Sequence, residues 1–339
     1  MDNNKLLHNT IRLLNKNNKK TFSKIKFFIK YNKKYKIDYM FWPNALLLYP
    51  LIVLNNKESK KYINKQLELI NKNNNIILNF DDGLFIYLLM KYIPNNNSQI
   101  KKLEKNLFLY AKDYYNKVIP YRKNNPDFSL IDNLGMICPF LCLYGKNENN
   151  HNIIEWSIMQ FEEFINNCYD KKSGLLYHGY NINTKKTFGA LGWGRAMAWI
   201  LLGLSESIVT LKNDEQYFKK LLDKYKLLIN NVKRYINPTG GFDWIMSDKN
   251  EHLDTSVTSI ILLTLLNLKK EKIIKEEYDN IIESLYKCLS NNTINGKVIN
   301  CSAECKGLGN YPQKYGSYSW SVGPTFACVL LYNELKKFN

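Results

Sequence analysis

The sequence predicts an all-α protein, and more particularly an (α/α)6 barrel with six inner and six outer helices. The first observation is that six strongly apolar segments recur along the 339 residues, with starts separated by 40 to 67 positions. Each is about three helical turns long and apolar on nearly every side, as is typical of a helix buried on both sides. The second observation is that amphipathic segments alternate with them, each with apolar residues three or four positions apart.

The first inner helix is predicted to start at Trp42, because the length of this segment and its lack of alternation favour a helix over a strand. Pro139 and Pro324 are expected in the first turns of their helices, where a missing N–H costs no hydrogen bond. The six inner helices are predicted over residues 42–54, 82–93, 132–144, 194–204, 255–268 and 322–335.

The outer helices are predicted from the amphipathic segments that lie between the inner ones. Ser59 and Ser98 stand where the N-caps of two of these helices are expected. The segments cover residues 59–71, 98–115, 152–167, 215–235 and 272–289, and two N-terminal helices over residues 5–15 and 22–35 complete the set.

This pattern predicts one domain over residues 1–339, with the barrel proper starting at about residue 36. Convincing β-hairpin patterns are few. An open α-solenoid is the alternative architecture. A solenoid has no buried central ring, so it would not need six helices that are apolar on both sides.

The charge of the chain is strongly positive, with 48 Lys and Arg against 30 Asp and Glu, a formal net charge of +18. Only four of these basic residues are Arg, the usual reader of phosphates and base edges, and the lysines are spread along the chain. The lysines also accompany many Asn and Ile, as the codons of an AT-rich genome produce. We therefore expect no nucleic-acid partner; an anionic substrate is the remaining functional explanation.

The seven cysteines show no disulfide-like framework, and their odd number favours a reducing compartment. The first 20 residues show no secretory signal pattern. No apolar run reaches the roughly 18–20 residues that a membrane span needs. The expected location is therefore the cytoplasm, with no membrane partner.

The loops that precede the inner helices are expected to surround one mouth of the central cavity, and they carry aromatic, acidic and basic residues. Aromatic rings stack on sugar faces and carboxyl groups supply a proton or a base, so this set favours a carbohydrate site. An Asp at a helix start is also a common N-cap, but Asp132 heads a helix that is apolar on every side. The predicted rim consists of Trp42, Asp81, Asp82, Asp132, Trp193, Arg195, His252, Asp254 and Trp320.

Two further side chains are candidates for sugar contacts. Trp199 lies four residues after Arg195, so the two share one face of a helix. An Arg at this mouth needs an anion, either a substrate or an internal partner among Asp81, Asp82 and Asp132. His178 follows a turn-like segment, residues 171–174, and is either a substrate contact or a structural loop residue.

No metal or cofactor is predicted. The four histidines form no zinc-type spacing, and Cys301 and Cys305 have no second cysteine pair at a suitable distance. The chain also has no glycine-rich motif in the strand–turn–helix context that nucleotide binding requires.

Several short motifs occur in a characteristic order from about Trp42 to the C-terminus. In this respect the chain resembles glycoside hydrolase families 88 and 105, the unsaturated glucuronyl and rhamnogalacturonyl hydrolases. The motifs are DNLGM at 132–136, HGY at 178–180, WGR at 193–195, DTS at 254–256, GSY at 316–318 and VGP at 322–324. The sequence departs from the family pattern in FSLI at 128–131 and in Asp254, where a Glu is common, which leaves the substrate subsites open.

The resemblance implies an unusual hydrolysis of sugars that carry a C4=C5 double bond in a uronic acid. An Asp protonates the double bond, water adds at C5, and the resulting hemiketal opens and releases the next sugar. Asp132 would be this general acid and base. Asp81 matches the second family carboxylate, with Asp82 as the fallback. The residues implied in sugar binding are Trp42, His178, Trp193, Arg195 and Trp199.

The leading hypothesis is therefore a hydrolase that releases an unsaturated uronic acid from short anionic oligosaccharides. One alternative is a sugar-processing or sugar-binding protein of cell-surface polysaccharide synthesis. Another is a helical interaction scaffold, which predicts a mouth filled by side chains and a pair between Asp132 and Arg195. The sugar, its linkage and the oligomeric state are left open.

Overall fold

The structure, a computed structural model, describes residues 1–19, 21–32, 37–93, 97–248, 252–306 and 309–337. Short 3₁₀ turns at Lys112–Tyr114, Lys233–Tyr235 and Glu276–Tyr278 extend three of its outer helices. The α-helices are α1 (Asn3–Lys19), α2 (Thr21–Tyr31), α3 (Trp42–Leu54), α4 (Lys57–Lys72), α5 (Asp82–Tyr92), α6 (Ser98–Ala111), α7 (Asp132–Met136), α8 (Cys138–Asn147), α9 (His151–Cys168), α10 (Gly194–Thr210), α11 (Glu215–Val232), α12 (Thr255–Lys270), α13 (Asp279–Asn291) and α14 (Ser319–Lys336).

Six inner positions form a closed ring within the described residues. In order they are α3, α5, the pair α7–α8, α10, α12 and α14, and α14 packs back against α3. The outer helices α4, α6, α9, α11 and α13 each pack on the inner helix that precedes them, while α1 packs on α14. The predicted (α/α)6 barrel is thus confirmed, and the closed ring rules out the open solenoid. That the whole chain is one domain stays a prediction.

The inner helices hold the core because they have no polar face to expose. Leu46 of α3, Leu88 of α5 and Leu201 of α10 are fully buried, and so are most of their neighbours. Burying one such side chain contributes about 1.5–3 kcal/mol, so the ring is the main source of stability. None of the helices in the described part of the chain is both long and apolar enough to cross a bilayer.

The ring closes at a tight crossing between α14 and α3. A Cβ atom added to Gly323 would lie 2.1 Å from the carbonyl oxygen of Leu46, far inside van der Waals contact. Only glycine therefore allows the two backbones to approach so closely. Pro324 follows in the second turn of α14 rather than the first, because this helix begins at Ser319, three residues earlier than predicted.

The third inner position is broken, although the sequence predicted one helix over residues 132–144. Its first part, α7, ends at Met136, and α8 starts at Cys138 with Pro139 in its first turn. Proline has no N–H to donate to the residue four positions before it, so the helical ladder is interrupted here. The placement of Pro139 in a first turn is confirmed, and the continuity of the helix is wrong.

The predicted N-caps are also wrong by one to three residues. Asn56 caps α4 by accepting a hydrogen bond from the backbone N–H of Ser59, and Asn97 caps α6 in the same way. Both helices therefore start close to the predicted positions, with Asn instead of Ser as the cap. In the predicted helix 22–35, α2 ends at Tyr31, and residues 33–35 lie outside the described residues.

Two small antiparallel sheets bear on the site and were not predicted. In the first, β3 (Leu175–Asn181) pairs with β1 (Phe128–Leu130), β2 (Tyr169–Asp170) and β4 (Thr187–Leu191). In the second, β7 (Cys301–Ser302) pairs with β8 (Tyr315–Gly316). The predicted turn at 171–174 is confirmed, since it joins β2 to β3. β1 leads into α7 and β4 leads towards α10, so the first sheet lies where inner helices begin. A separate pair of short strands, β5 (Thr293–Ile294) and β6 (Lys297–Val298), precedes β7 in the chain.

Candidate active site

A cavity of about 290 Å3 opens at the end of the barrel where α3, α7 and α10 begin. Six of the predicted site residues line it: Trp42, Asp132, His178, Trp193, Arg195 and Trp199. The rest of the wall comes from residues that the sequence did not single out as site residues. These are Tyr121, Arg122, Asn124, Asn125, Leu130, Glu304 and Cys305.

Asp132 is the first residue of α7, and it does not act as an N-cap, since no side-chain cap bond is present at this helix. Its Oδ2 lies 3.1 Å from Nε2 of His178. The pairing of β1 with β3 brings the two together, and the backbone N–H of Ile131 donates to the carbonyl oxygen of His178 at 3.0 Å. The side chain of Asp132 is 12% exposed, so its carboxyl group faces the enclosed space that the sequence predicted.

His178 lies in strand β3 and is 2% exposed, so it is not a surface loop residue. Its ring centre is 4.5 Å from that of Trp193, and its Nδ1 is 2.8 Å from the hydroxyl oxygen of Tyr311. The imidazole therefore bridges Asp132 and Tyr311, with one ring nitrogen on each. Trp193 follows β4, so the first sheet positions three of the residues that line the cavity.

Arg195, in the first turn of α10, has an internal partner, but not one of the three carboxylates expected from the sequence. Its guanidinium lies 3.4 Å from Asp254 Oδ2 and donates to Ser302 Oγ and Ala303 O, both at 2.8 Å. Its charged group is also 5.0 Å from the ring centre of Trp193. With its side chain 3% exposed, Arg195 presents only an edge to the cavity.

Asp254 and Trp320 lie behind the cavity wall rather than in it. Asp254 is the N-cap of α12, where its Oδ1 accepts a hydrogen bond from the backbone N–H of Ser256 at 2.9 Å. Trp320 donates from Nε1 to the carbonyl oxygen of Ser302 at 2.9 Å, and its ring centre is 5.1 Å from that of Trp42. Both side chains thus brace residues that line the cavity.

Asp81 and Asp82 are adjacent and fully buried, but they face different partners. Asp81 Oδ2 accepts a hydrogen bond at 3.0 Å from Arg122, a residue of the cavity wall. Asp82 Oδ2 accepts from the backbone N–H groups of Leu78 and Asn79 and does not line the cavity. Burial raises the pKa of both carboxyl groups, and Arg122 offsets part of the increase at Asp81.

His252 is a predicted rim residue that lies outside this arrangement. It is exposed and packs on Tyr315, with ring centres 4.4 Å apart, and it does not line the cavity. Within the described residues, no three His, Cys, Asp or Glu side chains are grouped as a metal site requires.

Apart from Leu130 of β1, the residues that the sequence analysis missed come from two irregular segments. Arg122 stacks on Tyr121, 3.9 Å from its ring centre, in the polar segment before β1. Tyr311, Glu304 and Cys305 belong to the loop between β7 and β8. Arg122 is one of only four arginines, which was a usable signal, whereas nothing in the local pattern of the second loop indicated a site.

The scaffold hypothesis is wrong on both of its structural predictions. The mouth of the barrel holds a cavity rather than packed side chains, and Asp132 contacts His178 rather than Arg195. What the arrangement offers instead is a carboxyl group beside tryptophan rings and a guanidinium group. Such a combination suits proton transfer to a bound sugar.

Comparisons with known proteins agree with one another. A family model described as Glycosyl Hydrolase Family 88 matches residues 13–336. Unsaturated rhamnogalacturonyl hydrolase YesR of Bacillus subtilis (strain 168) is 20% identical over 145 residues, which cover 43% of this chain and 42% of that protein. The match thus spans less than half the length of this curated relative.

Two solved structures share the fold over most of the chain. A possible member of the GH105 family from Klebsiella pneumoniae subsp. pneumoniae MGH 78578 superposes with a TM-score of 0.79 at 16% identity, covering 88% of this chain and 83% of that one. A family 105 glycoside hydrolase from C. acetobutylicum ATCC 824 gives a TM-score of 0.72 at 19% identity, covering 91% and 98%. At these identities the likeness concerns the fold alone.

Proposed function

Because the chain belongs to glycosyl hydrolase family 88, we propose that it is a glycoside hydrolase which releases an unsaturated uronic acid from short oligosaccharides. The observation that carries the proposal is the position of Asp132, at a helix start inside the cavity, with one carboxyl oxygen against His178. The curated relative YesR, described as an unsaturated rhamnogalacturonyl hydrolase, supports the same substrate class.

The reaction assigns two steps to Asp132. In the first, its protonated carboxyl group gives a proton to C4 of the C4=C5 double bond, and positive charge develops at C5. In the second, the resulting carboxylate accepts a proton from the water molecule that attacks C5. The sum is the addition of one water molecule, and the hemiketal formed at C5 opens to release the next sugar. One residue thus acts as acid and then as base.

The wall of the cavity supplies groups for binding the sugar. We assign the stacking surface to Trp42, Trp193 and Trp199, whose rings surround the space beside Asp132. The carboxylate of the uronic acid needs a cation, and the side chain of Arg122 is 25% exposed against 3% for Arg195. We therefore assign the carboxylate to Arg122, with Asp81 holding its guanidinium in place and Arg195 fixing the tryptophan wall.

The test is to incubate the protein with a disaccharide that carries an unsaturated uronic acid and to follow the ultraviolet absorbance of the double bond. We expect the absorbance to fall, and Asp132→Asn to slow this by about 10²–10⁴-fold, the usual contribution of a general acid or base. Asp223→Asn is the matched control, because Asp223 is exposed on outer helix α11.

Absorbance that stays constant with several uronides would overturn the proposal. Measured binding of the same sugars without loss of absorbance would instead favour the sugar-binding alternative, a role in cell-surface polysaccharide synthesis. The two outcomes are separated by a single pair of assays on the same protein sample.

We also propose the cytoplasm as the working location of this protein and an anionic oligosaccharide as its partner. All seven cysteines, each of them within the described residues, are free thiols, which suits a reducing compartment. Cell fractionation with an antibody against the protein tests the location, and recovery from an extracellular fraction would contradict it.

A further inference from the structure

The hydroxyl group of Tyr311 joins parts of the chain that are far apart in sequence. It accepts a hydrogen bond from the backbone N–H of Ala190, in β4, at 2.9 Å. It also lies 2.8 Å from Nδ1 of His178, whose Nε2 lies 3.1 Å from Asp132 Oδ2. A continuous line of hydrogen bonds thus runs from the β4 backbone through a phenol and an imidazole to the carboxyl group of Asp132.

The direction of the first hydrogen bond in this line is fixed by a group that can only donate. The N–H of Ala190 has no lone pair, so it must use an acceptor site of the phenol oxygen. Burial is the main cause that raises the pKa of Tyr311 to about 12, so its hydroxyl group keeps its proton at neutral pH. Among the described residues, Nδ1 of His178 is the acceptor that lies within reach of this proton, and in that arrangement Nδ1 carries the lone pair.

We propose that Tyr311 is a positioning residue that holds His178 as the tautomer with its proton on Nε2. In this form the imidazole donates a hydrogen bond to Asp132 Oδ2. Among the described residues Asp132 Oδ1 has no hydrogen-bond partner, so this oxygen is left to exchange a proton with the substrate. The inference rests on the proposed function in one respect, the role of Asp132 as the acid.

Gly189 shows that the fold makes room for this contact. Its φ angle is +76°, a value that other residues rarely adopt, and a Cβ atom there would lie 2.8 Å from the hydroxyl oxygen of Tyr311. The same atom would lie 2.7 Å from Cβ of His178. The Tyr311 ring is held separately by Trp193, with ring centres 5.3 Å apart, so removing the hydroxyl group leaves the ring in place.

The experiment reads the tautomer directly by NMR of protein labelled with ¹⁵N in its histidines. The chain has only four histidines, and His178 is assigned from the signals that disappear in His178→Gln. In the wild type we expect an unprotonated Nδ1 and a protonated Nε2. In Tyr311→Phe we expect the two ring nitrogens to exchange between protonated and unprotonated forms, because the donor to Nδ1 is gone.

The matched control is Tyr332→Phe, which removes a hydroxyl group that contacts Glu283 in an exposed pair away from the cavity. We expect this variant to leave the His178 signals unchanged. A protonated Nδ1 in the wild type, as the other tautomer or as imidazolium, would overturn the inference. So would signals in Tyr311→Phe that match the wild type.

The kinetic readout separates this inference from the proposed function. With an unsaturated uronyl disaccharide, we expect Tyr311→Phe to lower kcat by about tenfold with little change in KM. The hydroxyl group acts on Asp132 through His178, and Tyr311 does not line the cavity where the sugar would bind. Absence of any turnover in the wild type would defeat the proposed function but leave the tautomer measurement valid. An unchanged kcat in Tyr311→Phe, beside normal wild-type turnover, would defeat the positioning role alone.

Discussion

Two buried carboxyl groups of the inner helices, Asp132 and Glu206, show how hydrogen-bond partners determine what a residue can do. Within the described part of the chain, Asp132 has one hydrogen-bond partner, His178, and an oxygen left over. Glu206, in α10, is fully buried and accepts hydrogen bonds from four side chains. The donors are Tyr49 at 2.7 Å, Tyr87 and Lys91 at 2.6 Å, and Asn267 at 2.9 Å. A carboxylate so fully satisfied has no capacity for chemistry and serves to tie α3, α5, α10 and α12 together.

Replacing Glu206 by Gln should destabilise the protein by up to about 3–5 kcal/mol, because the charge of Lys91, whose side chain is only 19% exposed, loses its carboxylate partner. The measurement is urea unfolding at neutral pH. Glu162→Gln is the control, since Glu162 pairs with Lys220 and Lys224 at the partly exposed surface, where such pairs contribute about 0–1 kcal/mol. Equal losses of stability in Glu206→Gln and Glu162→Gln would contradict the role of Glu206 in tying the inner helices together.

The free energy of unfolding should depend differently on pH in the wild type and in Glu206→Gln. Burial alone would raise the pKa of Glu206, but Lys91 and the hydrogen bonds outweigh it, so the pKa in the folded state lies below the ordinary value of 4.5. A depressed pKa contributes stability that is present above the unfolded value and is lost as pH falls through the folded one. The stability difference between wild type and Glu206→Gln should therefore narrow below pH 4.5. A difference that stays constant over this pH range would show that the ionised carboxylate of Glu206 is not its cause.

The inner helices of this structure have a strong hydrophobic pattern in the sequence, whereas the short strands have none. Helices of the inner ring are apolar on every side over about three turns, which is why α3 begins and ends where the sequence predicted. The strands that position Asp132, His178 and Trp193 are three to seven residues long. They pair with residues up to 53 positions away, as Phe128 does with Asn181. No local pattern specifies such pairing. Most of the candidate site was predicted from helix starts and His178 from the turn before it, whereas Arg122 and the loop between β7 and β8 were missed.

The crossing of α14 and α3 gives a prediction for these two elements. Gly323→Ala should lower stability by about 1–3 kcal/mol or more, because the added Cβ would meet the backbone of Leu46 rather than a movable side chain. Gly316→Ala is the control, since its new Cβ would lie 3.3 Å from a side-chain carbon of Tyr318. Thermal unfolding compares the two, and a Gly323→Ala variant as stable as wild type would mean that the ring can widen without cost.

At the scale of the whole molecule, the barrel is completed by a helix from the other end of the chain. The last inner helix, α14, is covered by α1, so the sixth outer position is filled from the N-terminal side. Leu6 is fully buried in this contact, and Asn9 donates to the carbonyl oxygen of Gly296 at 2.7 Å. The amphipathic pattern of residues 5–15 predicted this helix. The need for six helix pairs predicted that an N-terminal helix completes the outer layer.

Truncating the buried face of α1 should therefore affect the whole fold. Leu6→Ala should lower the free energy of unfolding by about 2–5 kcal/mol, the range for a fully buried leucine. Because we expect α1 to unfold together with the ring, the variant should still unfold in a single transition. Leu7→Ala, at a half-buried neighbouring position, should cost much less. Urea unfolding followed by both circular dichroism and tryptophan fluorescence tests this, and a separate early transition in the wild type would show that α1 is only loosely attached.

The way in which the inner helices begin around the cavity has an electrostatic consequence. Asp82, Asp132, Gly194, Thr255 and Ser319 are first residues of inner helices, and these residues or their neighbours in sequence line or brace the cavity. The aligned peptide dipoles of an α-helix place about half a positive elementary charge at its N-terminus. The backbone of the barrel thus directs several partial positive charges towards the position where we place an anionic sugar. This attraction comes from the architecture itself and would persist if every surface lysine were neutral.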